Sequence, residues 1–397
     1  MSNDNHEWIP TPTEHPVCAV CDGDRSVEVS AVGRNGVSVR NVTCVECGLV
    51  FVSPRPSPAA MADFYRSQYR AQHVLPMKTR DGRVAHPGTA EYEDAQLYRA
   101  EVLAFNAMAG GMVKAGERVL DVGCRRGDVL TAMNKTVPIE MHGIEPDVKS
   151  CVEGERRGIV MHNGVMETYD PGELRFDQIQ LFHVLEHIHD PLAALVRLRG
   201  WLKPRGRLVI EVPDVEQPYG GLSFFFQYPH LYSFSAQTLG ALLRRAGFRV
   251  LVVGPGTTLY IVSTPDPLAS AVPIAYAKHH LGDNPIDGEQ MASRLQLYDA
   301  LETAKRLVAK GANVPVDVVC RIVSLPALRP TVEHEKTHLF LATLSIADVW
   351  LRAGRHEDAV RLLRAGRDGP RCDAVARGFD RVLRAVMAEI ASASPSA

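Results

Sequence analysis

The sequence predicts an α/β protein with a mostly parallel sheet, a small metal-binding module ahead of it and an all-helical region behind it. Three observations carry this. Between Arg118 and Ser263 short apolar runs alternate with helical stretches, the pattern of parallel strands covered on both faces. Ahead of them, four cysteines fall in two tight pairs, Cys18-x-x-Cys21 and Cys44-x-x-Cys47. Beyond Pro265 to Pro273 no strand pattern recurs.

Two thiolates in a C-x-x-C turn can share one metal, and two such turns complete the tetrahedral sulfur set that zinc accepts in closed structural positions. The spacer holds two strand-like runs, Val27 to Val32 and Val37 to Val42, around an Arg34-Asn35-Gly36 turn. This reads as a zinc ribbon with structural zinc on Cys18, Cys21, Cys44 and Cys47. A redox C-x-x-C is the rival reading, but neither pair sits beside a βαβ pattern. A proline-rich linker follows. Ser57 and Pro58 read as N-cap and first position of a helix reaching about Tyr69, which carries Phe64, Tyr65 and Tyr69. Gln72 to Thr89 shows no periodicity and reads as a mobile loop. A second helix runs from about Glu91 to Met108.

The strands of the α/β region are Arg118 to Val122, Met141 to Glu145, Phe176 to Val184 and Leu208 to Val212. A closing hairpin follows, Arg249 to Val253 and Leu259 to Ser263. Pro191 to Leu202 is one of the intervening helices. The C-terminal third reads as helical. Ala347, Trp350, Gly354, Ala359 and Leu362 are spaced as in a single tetratricopeptide hairpin. A helical cap is the first reading of that region, and docking of a protein partner or self-association through its helices is the second. The chain thus divides into a ribbon (1–53), a helical linker or lid (54–115), the α/β domain (116–265) and a helical C-terminal domain (266–397).

Lysine plus arginine number 44 and aspartate plus glutamate 46, a net charge of −2 that argues against nucleic-acid binding through bulk charge. No apolar run approaches the ~18–20 residues that span a bilayer. MSNDNHEWIP has neither a basic start nor an apolar core, so the prediction is a cytoplasmic protein with reduced thiols.

A strand ending in an acid, then a glycine turn and a helix, suits a nucleotide-like ligand, because the backbone can approach and the helix start offers free N–H groups. Asp121, Gly123, Cys124 and Gly127 form that turn. Glu145 closes the next strand, 24 residues after Asp121, where a carboxylate can accept both ribose hydroxyls.

With Phe176-Asp177-Gln178-Ile179, His183-Val184-Leu185-Glu186-His187 and Leu202-Lys203-Pro204-Arg205-Gly206, these stretches resemble class I S-adenosylmethionine-dependent methyltransferases over roughly residues 91 to 263. The resemblance implies a Rossmann-like domain with a mostly parallel seven-stranded sheet and S-adenosylmethionine as cofactor. It puts Asp121, Gly123 and Gly127 at the methionine part and Glu145 at the ribose. Met166 and Glu167 would lie near the adenine and His183 near the sulfonium. Tyr65, Tyr69, Cys124 and Pro146 are further cofactor-binding positions. The family's middle glycine is Arg125 here, and the acid after Gly164 is Val165.

The ribbon and the stretch Tyr228-Pro229-His230-Leu231-Tyr232-Ser233-Phe234-Ser235 look like those of deoxysugar C-methyltransferases and related sugar and natural-product enzymes, in which the residue between that Tyr and His is usually Glu. Pro229 replaces it. His230, with Tyr228, is therefore the candidate catalytic pair, His230 as the base for a hydroxyl acceptor. His187 and His189 read as loop and cap hydrogen-bonding residues, and His162 as a surface residue. The aromatic run Phe224-Phe225-Phe226 reads either as a wall of the acceptor pocket or as core. The predicted function is methyl transfer to a small-molecule hydroxyl. C-methylation of a nucleotide-linked deoxysugar, RNA methylation and a non-catalytic scaffold remain alternatives.

Overall fold

The computed structural model describes residues 13–67, 76–108, 113–254, 258–266, 287–310 and 355–368, with six single positions (347, 350, 351, 383, 384, 387) in the last third. These residues divide into two compact units. The first takes the described residues up to Arg25 and those within Leu49–Gln217 and Tyr228–Pro285, and the second takes Ser26–Gly48, Pro218–Gln227 and the described residues from Ile286 onward.

The first unit is built on a seven-stranded sheet: β1 (Arg118–Val122), β2 (Glu140–Glu145), β3 (Val160–Asn163), β4 (Phe176–Phe182), β5 (Leu202–Pro213), β6 (Phe248–Gly254) and β7 (Thr258–Pro265). The strand order is β3-β2-β1-β4-β5-β7-β6. The first five run parallel, and β7 runs antiparallel to both β5 and β6. This is the mostly parallel Rossmann-like sheet that the alternating pattern predicts. Its central strands are apolar on both faces: Val119, Leu120, Ile179, Leu181, Leu208, Val209 and Ile210 are all buried. The strand β3, with the sequence Val-Met-His-Asn, is the one the apolar pattern does not show.

Helices α1 (Pro58–Ser67), α2 (Ala90–Met108), α3 (Asp128–Thr136), α4 (Val148–Glu155), α5 (Pro191–Trp201) and α6 (Ala236–Arg245) complete this unit. Their starts follow local chemistry. Ser57 Oγ accepts the Ala60 N–H at 3.2 Å, Asp147 Oδ2 accepts from Ser150 at 3.0 Å and Asp190 Oδ1 accepts from Ala193 at 2.9 Å. Ser235 and Thr238 form a reciprocal capping box on α6. One face of α2 packs Ala104 and Ala107 against Leu130 and Met133 of α3 and Val119 of β1. Tyr69 lies outside the described residues. The stretch read as a mobile loop contains a small hairpin, Met77–Lys78 paired with Val84–Ala85. Ala85 there packs with Tyr92 and Ala95 of α2, and this burial holds two strands too short for periodicity to reveal.

In the second unit Ser26–Val32 and Ser38–Cys44 form the antiparallel hairpin expected of the cysteine spacer, with Ser26 opposite Cys44. The turn at Arg34–Gly36 takes left-handed backbone at Asn35 and Gly36. Arg34 is buried there: its N–H donates to Phe226 O at 2.8 Å and its Nε to Phe224 O at 2.9 Å, with the guanidinium 4.3 Å from the Phe224 ring. Phe224 and Phe226 thus pack on the hairpin turn. Helix α7 (Gly288–Ala309) buries Met291, Ala292 and Leu295, and its first N–H donates to Val45 O at 3.1 Å. Helix α8 (His356–Asp368) follows. Ala347, Trp350 and Ala359 of the tetratricopeptide-like pattern are buried. Gly354 lies outside the described residues.

Gly127, the residue before α3, sits at φ +75°, and a Cβ there would meet Ile159 Cδ1 at 1.9 Å. Gly127→Ala therefore combines left-handed strain with overpacking, and denaturant unfolding should show a loss of about 2–4 kcal/mol. An unchanged midpoint would contradict the packing described.

Candidate active site

The first half of the site is built from two turns that share one carboxylate. The chain leaves β1 through left-handed backbone at Gly123 (φ +72°), Arg125 (φ +51°) and Gly127 (φ +75°). Glu145 ends β2, and its Oε2 accepts the Arg125 N–H at 2.9 Å while Oε1 accepts the Asp147 N–H at 3.0 Å. Its side chain is largely buried, which pushes its pKa up against the pull of those two N–H groups. Arg125 stands where the sequence resemblance leads to the expectation of a middle glycine. It takes the left-handed conformation itself, at a cost of about 1–2 kcal/mol, and its side chain is exposed.

The Asp121 carboxyl is 3% exposed and sits opposite Gln180 in the sheet register. Burial pushes its pKa up to about 7, with the Gln180 amide opposing and the nearby Glu145 charge adding. The Cys124 thiol turns into the packing, 3.9 Å from Met161 Sδ. Pro146 is exposed, and its carbonyl accepts from Asn163 Nδ2 at 3.1 Å. Gly164 donates its N–H to Glu145 O at 3.0 Å, which sets the segment after β3 beside the same carboxylate strand. There Met166 is buried, while Val165 and Glu167 are exposed.

The second half of the site lies at the carboxyl ends of β4 and β5. It adjoins the first, since a Cβ on Gly123 would meet Val184 Cγ2 at 2.7 Å. His183 follows β4 with φ +57°, and its N–H donates to Glu211 O at 2.8 Å. Arg99, from α2, donates to His183 Nε2 at 2.6 Å and to Glu211 Oε1 at 3.2 Å. That leaves the ring proton on Nδ1, which faces Glu186 Oε1 at 3.5 Å. A second proton on Nε2 would find Glu211 Oε1 at 3.2 Å. Desolvation disfavours the charged ring, yet the Glu186 and Glu211 carboxylates outweigh it and raise the His183 pKa. Glu186 is itself fully buried, and the surrounding imidazoles hold its carboxyl low despite that burial.

His187 and His230 complete the group. Their rings pack edge to face with centroids 4.7 Å apart. His187 Nδ1 lies 2.9 Å from Pro229 O and 2.9 Å from the Tyr65 hydroxyl. Tyr65, expected at the cofactor, thus meets a histidine, and Pro229 supplies a carbonyl that orients it. Burial lowers the His187 pKa. The Tyr228 ring packs on Phe64 at 4.8 Å, and burial raises its phenol well above the ordinary range. His189 stands apart, with Nε2 3.0 Å from Pro56 O. His162 lies in β3 with its ring 4.8 Å from that of Tyr169. Sequence reasoning missed Arg99, Glu186 and Glu211. A single acid inside the apolar run Leu208-Val209-Ile210-Glu211-Val212 is the signal that marks Glu211, whereas Arg99 carries none.

Cys18 and Cys21 are buried in the first unit, and Cys44 and Cys47 are buried in the second. Four thiols in two C-x-x-C pairs fit the donor set of a structural zinc.

Asp121 generates a pH prediction. Its folded pKa lies above the unfolded value of 3.8, so its contribution to stability is full below about pH 4 and is lost as pH rises through about 7. Urea unfolding without cofactor should therefore show Asp121→Asn gaining at least about 1 kcal/mol on the unaltered chain between pH 5 and pH 8. A pH-independent difference would contradict the buried, neutral carboxyl.

Residues 93–253 match a family model described as a methyltransferase domain. The chain is similar to a tRNA U34 carboxymethyltransferase of Methylococcus capsulatus, 34% identical over 161 residues that make up 36% of this chain and 49% of the relative. It is also similar to the (S)-coclaurine N-methyltransferase of Papaver somniferum, 30% identical over 128 residues, 30% of this chain and 36% of that one. The chain spans about half the length of these curated relatives, or less. Among solved structures, the 1,6-didemethyltoxoflavin-N1-methyltransferase of Burkholderia thailandensis superposes with a TM-score of 0.40 at 20% identity, covering 55% of this chain and 96% of that one. Among the described residues no helix is long and apolar enough to cross a membrane. The similarity to methyltransferase domains thus covers residues 93–253, the stretch that carries both halves of the site.

Proposed function

We propose that the chain moves the methyl group of S-adenosylmethionine to a hydroxyl of a small molecule, a sugar or natural-product intermediate, in the cytoplasm. The observation that carries this reading is the meeting of two carboxylates, Glu186 and Glu211, with three imidazoles, those of His183, His187 and His230, beside the Gly123 turn. Such a group can take a proton from an acceptor that lies over the cofactor turn.

The residues present fit the cofactor. Each Glu145 oxygen accepts one N–H and keeps a lone pair for a ribose hydroxyl. Gly123 and Gly127 leave the backbone open for the methionine part, and Met166 and Glu167 border the place for the adenine. Asp121 lies under the turn. When bound, S-adenosylmethionine would supply an activated methyl group on its sulfonium for an acceptor oxygen. The chain's task is alignment and proton removal. His183 and Arg99 stand on the methyl side, while Tyr228, Tyr65 and Phe64 wall the acceptor. His230 acts on the acceptor's hydroxyl. The four-cysteine group holds one structural zinc.

A charge-assisted hydrogen bond is worth roughly 1.5–3 kcal/mol, so Glu145→Ala should weaken S-adenosylhomocysteine binding about ten-fold or more in calorimetric titration. No heat from the unaltered chain would overturn the assignment.

Acceptor class is read by label transfer from methyl-labelled S-adenosylmethionine to panels of hydroxylated sugar nucleotides, phenols, amines and transfer RNA. On the hydroxyl acceptor that takes label, His230→Ala should lower turnover by about 10²-fold with S-adenosylhomocysteine affinity unchanged. Labelling of transfer RNA alone would replace the small-molecule reading.

A further inference from the structure

We propose that Glu186, His187 and His230 bind one divalent transition-metal ion, with zinc as the matching ion, in addition to the ion at the four cysteines. One ligand atom from each of the three residues lies within 4.8 Å of the other two.

Glu186 is 1% exposed, and neither of its oxygens has a hydrogen-bond partner among the described residues. Its nearest basic atoms are His183 Nδ1 at 3.5 Å and His187 Nε2 at 3.9 Å. A carboxylate so deeply buried and so thinly bonded calls for a cation.

The tautomer of His187 says where that cation belongs. Its Nδ1 lies 2.9 Å from the Pro229 carbonyl, which can only accept, so Nδ1 carries the proton. The Nε2 lone pair is then left facing Glu186 Oε1. Two acceptors facing each other 3.9 Å apart repel unless a positive charge stands between them. Metal-bound histidines are oriented in the same way, by donating the other ring N–H to a carbonyl. His230 closes the third side, its ring 4.7 Å from that of His187. Backbone fixes the two loops together as well, since Leu231 donates to Glu186 O at 2.9 Å.

Two imidazoles and one carboxylate suit zinc and its first-row neighbours better than magnesium or calcium, which take oxygen. Bonds of about 2.0–2.1 Å require the rings to close inward when the ion binds. Three protein ligands leave a fourth position for an acceptor oxygen, whose proton an ion of this kind makes easier to lose. Only that consequence rests on the methyl-transfer reading, which it deepens: His187 and His230 would act on the acceptor's hydroxyl through the ion they hold, and His230 would not be a free base.

The full chain is stripped with a chelator, dialysed against limiting zinc and assayed by elemental analysis. The unaltered chain should hold about two ions. Glu186→Gln and His230→Ala should each hold one fewer while keeping the unaltered circular dichroism, and Cys44→Ser should lose the other ion. With cobalt in place of zinc, Glu186→Gln should remove a visible band of a nitrogen–oxygen site and keep the thiolate charge-transfer bands. Equal ion counts and an unchanged cobalt spectrum in the unaltered chain, Glu186→Gln and His230→Ala would overturn the site, and Glu186 would then be neutralised by a proton on His187. Titration of the same samples with S-adenosylhomocysteine separates the two claims: loss of that binding in the unaltered chain ends the methyl-transfer reading, and the ion count alone decides the metal.

Discussion

The structure turns on the carboxylate of Glu145. It is buried at the end of a strand, and it receives the Arg125 N–H from the turn after β1 and the Asp147 N–H from the turn after β2. One side chain thereby locks two strand-to-helix connections at a fixed spacing. The left-handed backbone at Arg125 persists because this bond and the flanking glycines over-determine the turn. The Glu145 charge is felt at Asp121, and burial disfavours the charged form of both. A hydroxyl-rich, positively charged ligand over the pair, as proposed above, would relieve that electrostatic load.

Strand order places the rest. In the order β3-β2-β1-β4-β5-β7-β6 the connections reverse direction between β1 and β4, and open α/β sheets bind ligands at the carboxyl ends beside such a switch point. The turn with Asp121 and Gly123 lies on one side of it and His183 on the other. Glu211, deep in β5, and Glu186, in the loop after β4, would be intolerable as lone buried charges. The Arg99 guanidinium and the His183 imidazole face Glu211, and the His183 imidazole also faces Glu186. The chemistry proposed for the site follows from this balance of fixed negative and movable positive charge.

Much of this was legible in the sequence, and the exceptions have physical reasons. The buried strands β1, β2, β4 and β5 announce themselves because both faces are apolar. Edge strand β3 does not: Val160 is 60% exposed and the remaining three residues alternate no better than a loop. The hairpin at Met77–Lys78 and Val84–Ala85 is held by a tertiary contact with α2 and is too short for a period. Glycine was the expectation at the position of Arg125, and the backbone there is left-handed with arginine in place. Pro229 in place of Glu removes a carboxylate but leaves a carbonyl, and only the fold shows that this carbonyl orients His187, 42 residues away. His230 was legible from its neighbours Tyr228 and Tyr232. Its company of Glu186 and His187 was not, because it depends on two loops meeting.

Hydrogen exchange read by mass spectrometry, with and without S-adenosylhomocysteine, tests the central claim most directly. If Glu145 joins two turns into one cofactor cradle, amides across 121–128, 143–147 and 163–168 should slow together on saturation, while the hairpin of the second unit should stay unchanged. Protection confined to one of the three segments, or found elsewhere in the chain, would contradict the account.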